Sequence, residues 1–102
     1  MSKKLNHFIT PEARVDFSEA KLYYAQLLVT GLSKKFSMAV KQTILWICEN
    51  PNAVQIKYSK IRVTKIKGFP YAIHYFLNQN QIIITAIISF HRDPNIAKKR
   101  II

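Results

Sequence analysis

Lys57, Lys60, Arg62, Lys65, Lys67, His91 and Arg92 are the residues of this 102-residue chain whose types and spacing point to chemistry. Ammonium and guanidinium groups bind phosphate, and a histidine moves a proton near neutral pH. Together they are a set that could cleave RNA, the cations holding the phosphate while His91 transfers the proton. The plainer use of the same residues is a solvated basic face that contacts an acidic partner. For one site to form, neighbouring strands must gather them. Alternation puts Arg62 and Thr64 on one face of their strand and Val63 and Lys65 on the other. Strand pairing is then expected to bring Arg62 to the end of the last strand, beside His91 and Arg92. Both arginines should be partly exposed on the same side of the sheet. The basic tail adds Lys98, Lys99 and Arg100, so the expected binding surface runs over Lys57, Lys60, Arg62, Lys67, Arg92, Lys98, Lys99 and Arg100.

Charge supports a polyanionic or acidic partner. The net charge is +11. Beyond Glu49 the only acid is Asp93, against nine lysines and arginines, which leaves +8 on that half. Such a one-signed field attracts nucleic acid, an acidic protein segment or an anionic membrane. Other chemistries find little support. Two glycines cannot build a phosphate-cradling loop. No C-x-x-C or H-E-x-x-H is present, and His7, His74 and His91 are far apart, so neither a metal nor a cofactor is expected. The single cysteine, Cys48, reads as a small buried hydrophobe near a helix end. Half the chain is apolar (49%), enough for one packed domain over residues 1–102. No apolar run has the length of a membrane span, and Met1-Ser2-Lys3-Lys4 does not lead into a signal sequence. A cytoplasmic protein is expected.

The elements that must position these groups follow in order. Residues 4–9 suit a short edge strand. Thr10-Pro11-Glu12 is a helix start: a capping hydroxyl, a proline at the first helical position and an acid at the positive end of the dipole. Ala13, Phe17, Ala20, Tyr24, Leu27 and Leu28 share a face, predicting a helix to about Val29 that Gly31 ends. A second helix is predicted from about Leu32 to Glu49, with Phe36, Val40, Thr43, Ile44 and Ile47 on its stripe and Asn50-Pro51 as its stop. Residues 52–60 show no period. Strands are predicted over 61–67, 71–77 and 82–89. Gly68 and Pro70 set the bend between the first two, with Pro70 at the start of its strand, and Asn78-Gln79-Asn80-Gln81 forms the turn between the last two. The last strand is apolar on both faces and should be central. Residues 95–102 form a basic tail, helical or frayed. The order β-α-α-β-β-β predicts an α+β domain: an N-terminal helical hairpin packed on a small, mainly antiparallel sheet.

Phe69-Pro70-Tyr71-Ala72-Ile73-His74-Tyr75, then Ile82-Ile83-Ile84-Thr85-Ala86-Ile87, then His91-Arg92-Asp93-Pro94 resembles the C-terminal half of the RelE/ParE toxins of type II toxin–antitoxin pairs. The element order matches what that resemblance implies over nearly the whole chain. RelE-like members cut messenger RNA on the ribosome with basic residues on the sheet and often a C-terminal tyrosine or histidine. Carried over, that set would be Arg62, Lys65, His91 and Arg92, but the tail after Arg92 has no aromatic residue. ParE-like members lack the set and are associated with poisoning DNA gyrase. The F-P-Y-x-I-x-Y strand and the H-R-D-P end look more like the ParE, or plasmid-stabilisation, branch. The resemblance therefore implies a growth-inhibiting toxin, held by an acidic antitoxin in a hetero-oligomer.

The helices suggest where such an antitoxin lies. At about 100° per residue, Val15, Leu22 and Val29 fall opposite the first helix's core stripe, and Met38 and Leu45 do the same on the second, beside Lys34 and Lys41. A two-layer domain leaves these five apolar residues in water. An amphipathic acidic helix fits them, unless the N-terminal strand or the tail folds over them.

Overall fold

The computed structural model describes residues 4–100 and shows why each start and stop lies where it does. Strand β1 (Asn6–Ile9) leads into helix α1 (Pro11–Gln26), whose first turn is capped by the Thr10 side chain accepting from the Ala13 amide at 3.2 Å. Helix α2 (Leu32–Glu49) starts after Gly31, which sits at φ +79°, a conformation that suits glycine. Three antiparallel connections follow: β2 (Ile56–Tyr58), β3 (Ile61–Lys65), β4 (Tyr71–Asn78) and β5 (Gln81–Ser89). A short helix α3 (Asn95–Lys98) follows β5.

The sheet order is β1-β5-β4-β3-β2, with β1 parallel to β5 and every other pair antiparallel. The domain is α+β, as expected. Two departures have clear causes. Helix α1 ends at Gln26, three residues before Val29, because Leu27 turns to an extended ψ of 143°. Leu27 and Leu28, counted above as core, are exposed. And the stretch 52–60, which has no period, contains β2, a three-residue strand too short to show one.

The two faces of the sheet carry different cargo. The inner face holds Ile66, Ile73, Tyr75, Ile82, Ile84 and Ile87 against Ala13, Ala20, Tyr24, Phe36, Val40, Ile44, Ile47 and Cys48 of the hairpin. Tyr24 and Phe36 stack edge-on against Phe69, at 5.2 and 5.1 Å between ring centroids. A bulge makes the inner face possible. His74 pairs with Ala86 but Tyr75 pairs with Ile84, leaving Thr85 as an extra residue. Strict alternation would send Ile87 away from Ile84; the bulge turns both inward. On the outer face Ala86 and Ile88 pack against Ala97 of α3, with Tyr58 beside them. Gly68 (φ +87°) and Pro70 make the bend before β4, Pro70 standing just ahead of its first residue, and the Pro70 carbonyl accepts from the Phe90 amide at 3.0 Å.

The tail as far as Arg100 is docked, not frayed, and Ile101 and Ile102 lie outside the described residues. β1 covers only Gln81 to Ile84 of β5, so the second half of that strand has no strand neighbour on one side. Asp16 of α1 and Arg100 fill the gap. The Ile87 amide donates to Asp16 Oδ2 at 3.0 Å, Arg100 Nη1 donates to the Thr85 carbonyl at 3.0 Å, and the guanidinium grips both Asp16 oxygens at 2.5 and 3.0 Å. Asp16 is 5% exposed.

Candidate functional site

A cleft of about 410 Å³ opens on the outer face. Its floor is Val63 of β3, Ala72 and His74 of β4 and Ile88 of β5. Its walls are Lys57 and Tyr58 of β2 and, from the segment after β5, Phe90, Arg92, Pro94 and Lys98. Alternation explains the floor: Ile73 and Tyr75 point inward to the core, so Ala72 and His74 between and before them point outward. The proline at 94 and the packing of Ala97 on Ala86 and Ile88 carry Arg92 and Lys98 back over the sheet.

At the centre, the Tyr58 hydroxyl and His74 Nδ1 lie 2.9 Å apart and share one proton. Burial pushes the His74 pKa down to about 4, aided by Lys57 and Arg100 and opposed by Asp16. The imidazole is therefore neutral at pH 7, as suits a half-buried ring facing cations. Burial raises the Tyr58 pKa, with Arg100 pulling the other way. Lysines cover the outer aromatic rings: Lys98 lies 5.7 Å over Tyr58, Lys60 4.1 Å over Phe76 and Lys65 5.4 Å over Phe90. The arrangement can hold an anionic group over a neutral, hydrogen-bonded imidazole.

This chemistry has a pH signature. The unfolded chain binds a proton at His74 near pH 6.5, whereas the folded chain does so only near pH 4. Between those values the unfolded state holds more protons, so stability falls as pH falls through that window. The full loss is about 3 kcal/mol. His74→Gln should flatten that part of the curve of unfolding free energy against pH. Parallel curves for the two proteins between pH 7 and pH 4 would show that His74 is not held neutral.

The structure regroups the residues expected from sequence. Lys57, Arg92 and Lys98 meet in the cleft, and Lys65 stands at its rim. Arg62 does not join them. It pairs with Tyr75, which pairs with Ile84, so it lies on the inner face and away from the end of β5. Its guanidinium donates to the Val54 carbonyl and, at 3.2 Å, to Asn52 Oδ1, bracing the loop before β2. The expectation that Arg62 and Arg92 share a side is overturned, since Arg62 keeps the parity of the core strand positions. His91 is exposed in the turn after β5, its amide bound to Ser89 Oγ at 3.1 Å, and it does not line the cleft. Arg100 is spent on Asp16, whereas Lys99 and Lys60 are exposed and Lys67 lines a different groove. Tyr58 and His74 were missed. Alternation alone marks His74 as outward-facing, while Tyr58 needed β2 to be seen. Cys48 is fully buried, and burial pushes its thiol pKa up.

All five residues are exposed, from 44% for Leu45 to 59% for Leu22, but Val29 lies in the connection after α1, which ends at Gln26, and not on the helix face expected for it. The described tail packs on the opposite side of the sheet and β1 pairs with β5, so neither lies over them.

No family model and no curated protein matches the chain. Among solved structures, a chain described as the chromosomal ParDE TA system from P. aeruginosa superposes with a TM-score of 0.74. The fold is shared with a ParDE chain. The match covers 84% of this chain and 96% of that one, at 13% identity. The hairpin-on-sheet frame of the ParDE structure thus recurs here on a very different sequence. Among the described residues no helix is long and apolar enough to cross a membrane.

Proposed function

We propose that this chain is the toxin of a type II toxin–antitoxin pair, a ParE-like inhibitor that arrests growth by binding DNA gyrase and is neutralised by an acidic antitoxin. The observation that carries the proposal is the fold held in common with a ParDE chain over 96% of that chain's length. The net charge of +11 and the exposed apolar residues of the hairpin fit an acidic, amphipathic antitoxin, and a toxin–antitoxin hetero-oligomer in the cytoplasm follows.

The cleft favours a second reading, a RelE-like ribosome-dependent messenger-RNA endonuclease. Its set would be His74, Tyr58, Lys57, Arg92 and Lys98, in place of Arg62, Lys65, His91 and Arg92. His74 would take the proton from the ribose 2′-hydroxyl and the cations would hold the phosphate. The basicity of His74 ranks this reading second. A pKa of about 4 leaves the ring neutral but a weak base, well below the value near 7 that serves proton abstraction best. A third reading, a basic nucleic-acid-binding module without toxicity, predicts no growth arrest at all.

Inducing the chain in growing cells and following nucleotide and amino-acid incorporation separates the three. The gyrase reading expects DNA replication to stop first. Translation stopping first, with His74→Gln abolishing the effect, would replace it with the nuclease. Undisturbed growth in the absence of any antitoxin would overturn both.

A further inference from the structure

A second groove lies on the other side of β3 from the cleft. Ala39, Gln42, Thr43 and Trp46 of α2 face Thr64, Lys65 and Lys67 across a cavity of about 440 Å³. The four α2 residues fall at helical spacing on one face. That face is not core: Trp46 is 41% exposed and Gln42 is exposed. Tryptophan is the costliest aromatic to leave in water, and lysines here stand beside it with no acid lining the groove. The nearest acid in sequence, Glu49, lies one turn beyond Trp46 and outside the lining.

The groove is also connected. β2 pairs with β3 only at Ile61 and Arg62, so the edge of β3 from Val63 to Lys65 has no strand beside it. Lys65 sits at that edge, lining the groove while its ammonium lies 5.4 Å over Phe90, a wall residue of the cleft. A cationic path therefore runs from Lys67 past Lys65 to Arg92 and Lys98.

We infer that the Trp46 groove is a binding site for single-stranded nucleic acid, a base stacking on Trp46 while its phosphate lies between Lys65 and Lys67. A flat ring flanked by cations matches the repeat of a single strand, in which a base face and a phosphate alternate. The volume suits one nucleotide, being inside the roughly 300–1,000 Å³ of small-ligand sites. A duplex does not fit, because its base faces are already stacked on one another. The open edge of β3 lets the strand continue from the groove into the cleft. The site does not depend on the toxin reading and is tested without it.

Trp46 is the chain's only tryptophan, so its emission reports on the site directly. Titrating the full chain with short oligouridylate or oligodeoxyuridylate should quench that emission, since both present the same base face to Trp46. Trp46→Ala, followed by fluorescence anisotropy of a labelled strand, should weaken binding about ten-fold or more. Lys65→Glu with Lys67→Glu should weaken it further at low salt and reduce the slope of log affinity against log salt by about 0.7, the one single-strand phosphate held between them. Thermal unfolding of each variant checks the fold, and Trp46→Phe, which keeps a stacking ring, should retain most of the affinity. Unquenched emission while the strand binds would place the strand elsewhere and overturn the inference. Equal quenching by an oligoglutamate of the same charge would overturn it too, marking a site for acidic peptide.

Discussion

Asp16→Ala is expected to destabilise the domain by about 3–5 kcal/mol, a large share of the 5–15 kcal/mol of a typical native state. The magnitude comes from what is left behind. Asp16 is 5% exposed and accepts from the Ile87 amide and from Arg100. Removing the carboxylate leaves a partly buried guanidinium without its counter-charge and a strand amide without an acceptor. The melting temperature should fall by roughly 15–30 °C, read by circular dichroism. Asp16→Asn keeps an oxygen for the Ile87 amide and should lie between the two. Replacing both partners with apolar residues, Asp16→Leu with Arg100→Met, should recover part of the loss, because no charge is then stranded. If Asp16→Ala costs less than about 1 kcal/mol, the tail is not anchored as described.

Leu22→Asp combined with Leu45→Asp is expected to weaken binding of the proposed acidic antitoxin by about a hundred-fold or more while leaving the melting temperature nearly unchanged. Leu22 is 59% exposed and Leu45 44%, so neither change opens a cavity, and surface substitutions of this kind usually stay within about 0.5 kcal/mol. In a complex the same positions would be desolvated apolar anchors, each worth about 2 kcal/mol when lost, and the new carboxylates would face an acidic partner. Calorimetric titration with the antitoxin and thermal unfolding of the free domain measure the two halves. A steep loss of stability would make these residues core and end the interface argument.

The frame was legible because it rests on short-range rules. Thr10-Pro11 and Asn50-Pro51 mark helix limits by backbone chemistry, β3 and β4 show their alternation over five and eight residues, and β5 stands out as a nearly continuous apolar run of strand length. The errors come from questions that periodicity cannot answer. Leu27 and Leu28 continue an apolar pattern, but a pattern does not say whether a sheet still lies beneath it. The parity of Arg62 with Thr64 was correct; which of two faces that parity meant depended on where the hairpin packs. The bulge at Thr85 hides the same information in β5, since it turns Ile84 and Ile87 to one side across an odd spacing. Asp16 is marked by no local pattern, because its partner lies 84 residues away. His74 was read as isolated because its partner, Tyr58, sits on a strand of three residues.

That separation of 84 residues has a consequence for synthesis. A growing chain can pair β3, β4 and β5 as each appears, since those are neighbours in sequence. The exposed half of β5 stays unprotected until Arg100 has cleared the ribosome, and an open strand edge recruits any extended chain nearby. Every truncated product that stops short of Arg100 therefore carries a sticky edge and lacks the bidentate clasp. Chains cut short before Arg100 should therefore aggregate or be proteolysed.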